Sequence, residues 1–309
     1  MRYRELGRTG LDVSIVSFGT SPLGDMFGAT EEHAALEIVD RALDAGITFF
    51  DSSPYYGRGL AEERLGKALR GRRDEIGLGT KAGRYGDDEF DFSPSRIRSS
   101  LEESLRRLDT DYVDIFQLHD IEFVRLEDLF GDAYDALLGL RAEGKCRFIG
   151  MTGYPTAALR RAIEATELDV VLSYAHNTLL DSCLQRSLLP VAEARGVGVI
   201  NAAAVALGLL TPAGPRIEHP AGEEIRAAAR RMVQTCARLG TDVSFLANQF
   251  AIQRSNCATT LIGTVNPEHL DNAVAAAEAP IDEDVLAEVL HAAGPSRDRC
   301  WVSGLTENN

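Results

Sequence analysis

Three ionisable side chains of different type each close a short apolar run: Asp51 in FFDSSPYYG, Lys81 in IGLGTK and His119 in VDIFQLHD. Two tyrosines, Tyr55 and Tyr56, follow Asp51 within the same stretch. An aspartate held near a lysine keeps it protonated, and an ammonium beside a phenol stabilises the phenolate, lowering a pKa of about 10 toward the working range. A tyrosine in that setting becomes a general acid or base, and a histidine near the same atom can stabilise developing charge. Taken singly, Asp51 reads as a turn residue, Lys81 as a solvated rim charge and His119 as a structural histidine. Their arrival together suggests proton transfer, with Tyr55 and Tyr56 still undivided.

Such a set works only if a scaffold gathers distant segments. Eight short apolar stretches, each opened by a turn signal, recur at 13–18, 48–51, 76–80, 113–118, 147–151, 170–173, 198–201 and 259–262. Between them lie segments of helical period, such as 31–45, 94–108 and 128–143, and Gly46, Gly144 and Gly196 stand where helices would stop. Strand and helix alternating throughout imply a parallel sheet, and eight such units point to a closed (β/α)8 barrel. The rival is a doubly wound open sheet, whose G-x-G-x-x-G fingerprint is missing after the first strand, where the chain reads Gly19-Thr20-Ser21-Pro22-Leu23-Gly24. In a barrel, strand C-termini converge on one mouth, and Asp51, Lys81 and His119 close strands two, three and four. The opening YRELGRTGLDVS reads as a β-hairpin turning near Arg8–Gly10, a plug for the barrel bottom. Residues 1–309 read as one domain, with a long Pro- and Gly-bearing loop at 211–224 on the face of the mouth.

Composition bounds the partners. The 309 residues are 45% hydrophobic and 26% charged, and 32 Lys+Arg against 47 Asp+Glu leave a formal net charge of −15. That balance repels nucleic acid and anionic membranes. The charged start MRYRE is unlike a signal peptide, and no apolar run nears the roughly 18 residues of a membrane span. A cytoplasmic protein, monomeric or weakly homo-oligomeric, is expected. Cys146, Cys183, Cys236, Cys257 and Cys300 are scattered, without metal-ligand spacing, and the histidines lack i, i+4 pairing, so buried reduced thiols and no metal are expected.

The stretches LGRTGLDVSIVSFGTSPLG, FFDSSPYYG, GTKAGRY, DYVDIFQLHDIEF, GKCRFIGMTG, GVGVINAAAVALGLLT and LIGTVNPEHLDN together resemble the aldo-keto reductase superfamily. The resemblance covers nearly the whole chain. It implies a (β/α)8 barrel that transfers hydride between a carbonyl or alcohol and a nicotinamide cofactor, with a tetrad of Asp51, Tyr56, Lys81 and His119. The family's tyrosine stands five residues after the aspartate and just before a glycine, and this spacing selects Tyr56. SPLGDMFG, SPYYG, LHDIEF, LSYAHN and WVSG look most like the family's sugar dehydrogenases, which oxidise aldoses at C1. The implied substrate is an aldose of L-galactose, L-fucose or D-threo type, oxidised to a lactone. Alternatives are another cyclic hemiacetal such as pyridoxal, NADPH-dependent aldehyde or ketone reduction, and a non-catalytic nucleotide-binding barrel.

The resemblance also maps a cofactor site onto Gly19, Thr20, Asp51, Thr152, Gly153, Ser173, Asn201, Ala202, Leu207, Gly263, Thr264, His269 and Asn272. Thr152-Gly153 replaces a Ser-Asn common in relatives, Ser173 replaces a glutamine, and Ala202 replaces a stacking tyrosine. Gly263 and Thr264 offer backbone N–H groups near a helix N-terminus, suited to phosphate. Val265 stands where NADP-selective relatives carry a cation, so NAD is expected to be preferred over NADP, with His269 as a weaker phosphate contact. Asn272 reads as an adenine or ribose contact or as a plain helix residue. Tyr55, Tyr56, His119, Asp120 and Trp301 are the expected substrate contacts. For Asp120 and Glu122 an ordinary solvated carboxylate stays open, and for Trp301 a packing contact with outer helices.

Overall fold

The computed structural model describes residues 1–216 and 218–309. An antiparallel hairpin, β1 (Tyr3–Glu5) and β2 (Asp12–Ser14), precedes eight parallel strands. These are β3 (Val16–Gly19), β4 (Phe49–Asp51), β5 (Gly77–Ala82), β6 (Val113–Leu118), β7 (Cys146–Gly153), β8 (Val170–Tyr174), β9 (Gly198–Ala202) and β10 (Thr259–Ile262), and β10 pairs with β3 to close the barrel. The helices are α1 (Glu32–Asp44), α2 (Leu60–Ala68), α3 (Pro94–Leu108), α4 (Tyr134–Ala142), α5 (Thr156–Ala165), α6 (Cys183–Ser187), α7 (Leu189–Ala194), α8 (Glu223–Arg238), α9 (Val243–Gln253), α10 (Pro267–Glu278) and α11 (Glu283–Ala292). The closed (β/α)8 barrel expected from the alternation is present. Among the described residues no helix is long and apolar enough to cross a membrane.

Local sequence explains most boundaries. In α1, Ala35, Ile38, Val39 and Ala42 recur three and four apart and are buried together. In α3, Pro94 takes the first turn, where its missing N–H costs nothing, and the Ser93 hydroxyl accepts the Arg96 N–H. Gly46, Gly144 and Gly196 take positive φ after α1, α4 and α7, as their positions implied.

Three expectations need correction. The stretch 13–18 is not one strand: β2 ends at Ser14, the Ile15 N–H donates to the Arg2 carbonyl at 3.0 Å, and Ser17 Oγ donates to the Ser14 carbonyl, turning the chain from hairpin into barrel. The helix expected over 128–143 starts only at Tyr134, because Gly131 adopts φ −108° and ψ −115° and the preceding Leu129–Ala133 winds as a wider π turn. Strands β5, β7, β8 and β9 run further than expected, so that Lys81, Thr152, Gly153 and Ala202 lie within strands. The loop 211–224 contains Ile217, which falls outside the described residues; elsewhere in it, His219 Nε2 lies 3.1 Å from the Ala206 carbonyl.

The hairpin does plug the bottom. Leu6 is fully buried with Val13, Phe49, Ile115, Val170 and Ile200 inside the barrel. A Cβ on Gly7 would lie 2.3 Å from the nitrogen of Gly198, the residue that opens β9. Truncation of a fully buried leucine leaves a cavity, so Leu6→Ala should lower the unfolding free energy by about 2–5 kcal/mol. Urea titration measures the loss. Because Leu6 sits at the end opposite the mouth, turnover of the folded variant should stay near that of the parent.

Candidate active site

β4 delivers Asp51 to the mouth, in register with Gly19 of β3 and Gly79 of β5. A Cβ on Gly79 would stand 3.1 Å from Asp51 Oδ2, a tight contact that the bare position spares the carboxylate. Lys81 of β5 is 1% exposed and Asp51 2%. The Lys81 ammonium donates to Asp51 Oδ1, to the Ser52 carbonyl at 2.7 Å and to Tyr56 Oη at 3.4 Å. Gln117 of β6 donates to Asp51 Oδ2 at 3.0 Å. Three adjacent strands thus hold one charged pair against one phenol.

The electrostatics differ in one respect from the expectation. Burial pushes the Tyr56 phenol above its ordinary value, and Lys81 opposes that rise without reversing it. Tyr56 therefore rests as a neutral phenol. Burial also raises Asp51 against the pull of Lys81 and Gln117. For Lys81, burial works against the charge, Asp51 and Tyr56 favour it, and the balance is upward.

His119 stands perpendicular to Tyr56, ring centroids 5.7 Å apart. Burial drives its pKa down to about 3, with Asp120 opposing and Lys81 and Arg84 adding to the fall, so the ring is neutral. Ser53 Oγ lies 2.9 Å from His119 Nδ1 and already accepts the Tyr55 N–H at 3.1 Å. Its own proton is then free to donate to Nδ1, leaving the ring proton on Nε2.

Tyr55 has a different environment. Its hydroxyl donates to Asp87 at 2.8 Å, the Arg84 guanidinium lies 4.2 Å from its ring centroid, and burial raises its phenol to about 12. Asp120 and Glu122 are not solvated loop carboxylates. Asp120 pairs with Arg84, and Glu122 is fully buried. Glu122 Oε1 accepts from the Tyr154 N–H at 3.1 Å and from Ser303 Oγ at 3.0 Å, and its carbonyl accepts the Leu305 N–H at 2.9 Å. The C-terminal tail is thereby tied to the segment that carries His119. Trp301, on that tail, stacks on Tyr154 at 4.3 Å and meets His219 edge-on at 5.1 Å. It also packs beside the cluster of Met232, Leu246, Phe250, Leu286 and Val289.

The residues mapped to a cofactor fall at neighbouring strand ends. Gly19 and Thr20 adjoin Asp51, and Thr20 Oγ1 donates to Ser52 Oγ at 2.8 Å. Thr152 Oγ1 accepts the Asp120 N–H at 3.0 Å, leaving its own proton to give. Gly153, Ser173 and Asn201 pair across β7, β8 and β9. Ser173 Oγ and Asn201 Oδ1 are buried without a partner, atoms the protein leaves for a polar ligand. Beyond Ala202, which ends β9, Ala203, Ala206 and Leu207 take φ of 56°, 49° and 52°. Left-handed backbone costs about 1 kcal/mol per non-glycine residue, and strain of this kind concentrates where ligands bind. Gly263 and Thr264 precede α10, with His269 and Asn272 exposed on it.

Sequence reasoning missed Ser53, Gln117 and Arg84. Arg84 stands three residues after Lys81 in an aromatic loop, a legible but unread signal. It also missed a convergence of thiols. Cys146, Cys236 and Cys257 are buried as expected, but Cys183 is partly exposed and Cys300 exposed, and both meet His176 and Asp181 within 4.8 Å. Spacing could not show this, since the tail returns to the loop after β8 only in the fold.

Residues 16–293 match the Aldo/keto reductase family. L-galactose dehydrogenase of Arabidopsis thaliana is 43% identical, over 99% of this chain and 98% of that protein. D-threo-aldose 1-dehydrogenase of a Pseudomonas species is 30% identical over 92% of this chain and 95% of that one. Among solved structures, aldo-keto reductase AKR11C1 from Bacillus halodurans in its holo form superposes with a TM-score of 0.77 at 27% identity, covering 94% of this chain and 96% of that chain. The chain belongs to the aldo/keto reductase family, whose enzymes are oxidoreductases acting on CH–OH groups with NAD(P)H.

Glu122 gives a pH signature. Burial first, then the nearby charge of Asp120, raises its carboxyl from 4.5 to about 8. A raised pKa means that the fold holds this proton more tightly than the unfolded chain does. The stabilising contribution is complete below pH 4.5 and is lost as pH rises through about 8. Thermal unfolding measured across that range should show the parent losing stability relative to Glu122→Gln, and parallel curves for the two proteins would contradict the assignment.

Proposed function

We propose that this chain oxidises the anomeric C1 hydroxyl of an aldose of L-galactose, L-fucose or D-threo type to a lactone, with NAD preferred over NADP. The observation that carries the reading is the Tyr56 hydroxyl at 3.4 Å from a fully buried Lys81, beside a neutral His119. The choice of an aldose rests on the similarity to L-galactose dehydrogenase and D-threo-aldose 1-dehydrogenase along most of the chain.

The nicotinamide nucleotide, when bound, supplies the hydride acceptor. Ser173, Asn201, Thr152 and the Gly153 backbone would hold its amide end, and the unpartnered Ser173 Oγ and Asn201 Oδ1 fit that task. Gly19, Thr20, Ala202 and Leu207 would frame it, while Gly263 and Thr264, ahead of α10, present N–H groups to phosphate. His269 and Asn272 would lie toward the adenosine. Val265 offers no charge to a 2′-phosphate, which supports NAD.

Tyr56 must first lose its own phenol proton to solvent. The resulting phenolate, stabilised by Lys81, then takes the proton of the anomeric hydroxyl as the C1 hydride leaves for the nucleotide, and returns to the phenol. Asp51 with the Ser52 carbonyl fixes where the Lys81 ammonium points. His119 donates from Nε2 to the same substrate oxygen, its tautomer set by Ser53. The Arg84–Asp120 pair offers sugar hydroxyls both a donor and an acceptor, and Tyr55 and Trp301 provide aromatic faces.

Tyr56→Phe should lower turnover by about 100-fold or more, the scale of losing a general base, with nucleotide affinity retained. Tyr55→Phe should change it far less, and equal losses at the two positions would overturn the assignment. Because burial holds Tyr56 as the phenol, oxidative turnover should climb with pH through the alkaline range, whereas a flat profile would remove Tyr56 as base. Assay of L-galactose, L-fucose, D-arabinose and pyridoxal with each nucleotide tests substrate and cofactor together. Val265→Arg should move the preference toward NADP; an unchanged ratio would place the 2′-phosphate elsewhere.

A further inference from the structure

Away from the tetrad, four metal-ligating side chains converge where the loop after β8 meets the C-terminal tail. His176, Asp181 and Cys183 come from the loop and the start of α6, and Cys300 arrives from the tail, 119 residues beyond Asp181. Their ligand atoms all lie within 4.8 Å of one another. Cys183 Sγ is 3.0 Å from His176 Nδ1 and 3.4 Å from Asp181 Oδ2. Cys300 Sγ is 3.8 Å from the same nitrogen and 3.3 Å from the same oxygen. His176 Nδ1 and Asp181 Oδ2 are 2.6 Å apart.

A tetrahedral zinc site with Zn–S of about 2.3 Å and Zn–N or Zn–O of about 2.1 Å has ligand-to-ligand edges of about 3.4–3.8 Å. The four edges from sulfur to His176 Nδ1 and Asp181 Oδ2 span 3.0–3.8 Å, and the two sulfurs lie within 4.8 Å of each other. The Cys183–His176 edge and the hydrogen-bonded His176–Asp181 edge are short, and each must open by less than about 1 Å for the cation to replace the proton held between them. We propose that His176, Asp181, Cys183 and Cys300 form a four-ligand zinc site that clasps the C-terminal tail to the loop after β8.

The donor set suits the ion. Two thiolates with one imidazole select zinc over magnesium or calcium, and four protein ligands leave no open position, which marks a structural site. Two thiolates and a carboxylate around Zn2+ leave one net negative charge, tolerable because Cys300 reaches solvent and Cys183 is partly exposed. Those thiols also give the ion its path in. The surroundings already bring Cys300 into place: the Asp298 N–H donates to the Leu180 carbonyl at 2.8 Å, and Asp298 Oδ1 accepts from the Ser182 N–H and hydroxyl at 2.8 and 2.9 Å. Asp181 Oδ1 is held by the Cys183 N–H at 2.8 Å, which leaves Oδ2 for the metal. His176 Nε2 is buried without a partner, so the histidine is less well braced than in most zinc sites and the affinity should be correspondingly lower.

The position gives the site a purpose. Trp301 follows Cys300 directly and stacks on Tyr154, whose ring lies 4.2 Å from that of His176. Further along, Ser303 and Leu305 bond to Glu122, two residues past Asp120. Zinc would fasten one end of this strap while Glu122 fastens the other.

The test uses tag-free full-length protein, loaded with zinc under reducing conditions, dialysed, and analysed by inductively coupled plasma mass spectrometry. The parent should retain about one zinc per chain, and the Cys183→Ser/Cys300→Ser double variant should lose about tenfold or more, while Cys236→Ser keeps its metal. Cobalt(II) added to the reduced parent should give the intense ligand-field bands of tetrahedral coordination and a thiolate charge-transfer band, both missing in the double variant. Retention of zinc by the double variant, or a weak octahedral cobalt spectrum in the parent, would overturn the proposal. So would a Cys183–Cys300 disulfide in protein that takes up no zinc after reduction. None of these readouts depends on sugar oxidation.

Discussion

The active site depends on a charged pair that water does not reach. Lys81 and Asp51 lie side by side at the ends of β5 and β4, the ammonium also donating to the Ser52 carbonyl and Tyr56 and the second carboxylate oxygen accepting from Gln117. Removing one partner from a buried pair typically costs about 3–5 kcal/mol, because the other is left uncompensated. The barrel tolerates this arrangement because parallel strands place neighbouring residues in fixed register, so charge and countercharge meet without a search. Strand geometry supplies the rigidity that a loop-borne pair would lack.

From that pair the different surroundings of the two tyrosines follow. Tyr55 and Tyr56 are adjacent in sequence and chemically identical. Only Tyr56 meets the ammonium of Lys81, while Tyr55 faces Arg84 and Asp87. Burial raises both phenols, and at Tyr56 the lysine offsets part of the rise. In the proposed reaction Lys81 therefore supports a phenolate that exists only transiently, not a resting one. His119 complements this by being too well buried to ionise, which keeps it a donor of fixed tautomer.

Much of the fold was legible because its signals are local. The eight apolar stretches, the glycine stops after α1, α4 and α7, and the proline that opens α3 each act over a few residues, and the barrel follows from their alternation. Asp51, Lys81 and His119 could be singled out because each closes an apolar run, whereas Tyr56 was separated from Tyr55 only by the resemblance to the aldo-keto reductases, whose tyrosine stands five residues after the aspartate. The first strand and the fourth helix were misjudged where apolar pattern overrode a local break, at Ile15 and at Gly131. Two partners that tune the tetrad were illegible: Ser53 and Gln117 matter through contacts between strands or loops, which no spacing along the chain encodes. The same holds more strongly for the tail, since Cys300 and Trp301 acquire meaning only when the C-terminus crosses back over the loop after β8.

Lys81, held by Asp51, acts electrostatically on the phenol of Tyr56. The most direct measurement is a carbon-13 NMR titration of tyrosine labelled at Cζ, with the Tyr56 resonance identified by its loss in Tyr56→Phe. Tyr56 should titrate above its ordinary value of 10.0 in the parent and higher still in Lys81→Met, where burial and the charges of Asp51 and Asp120 act unopposed. A Tyr56 resonance that titrates at the same pH with and without the lysine would contradict it.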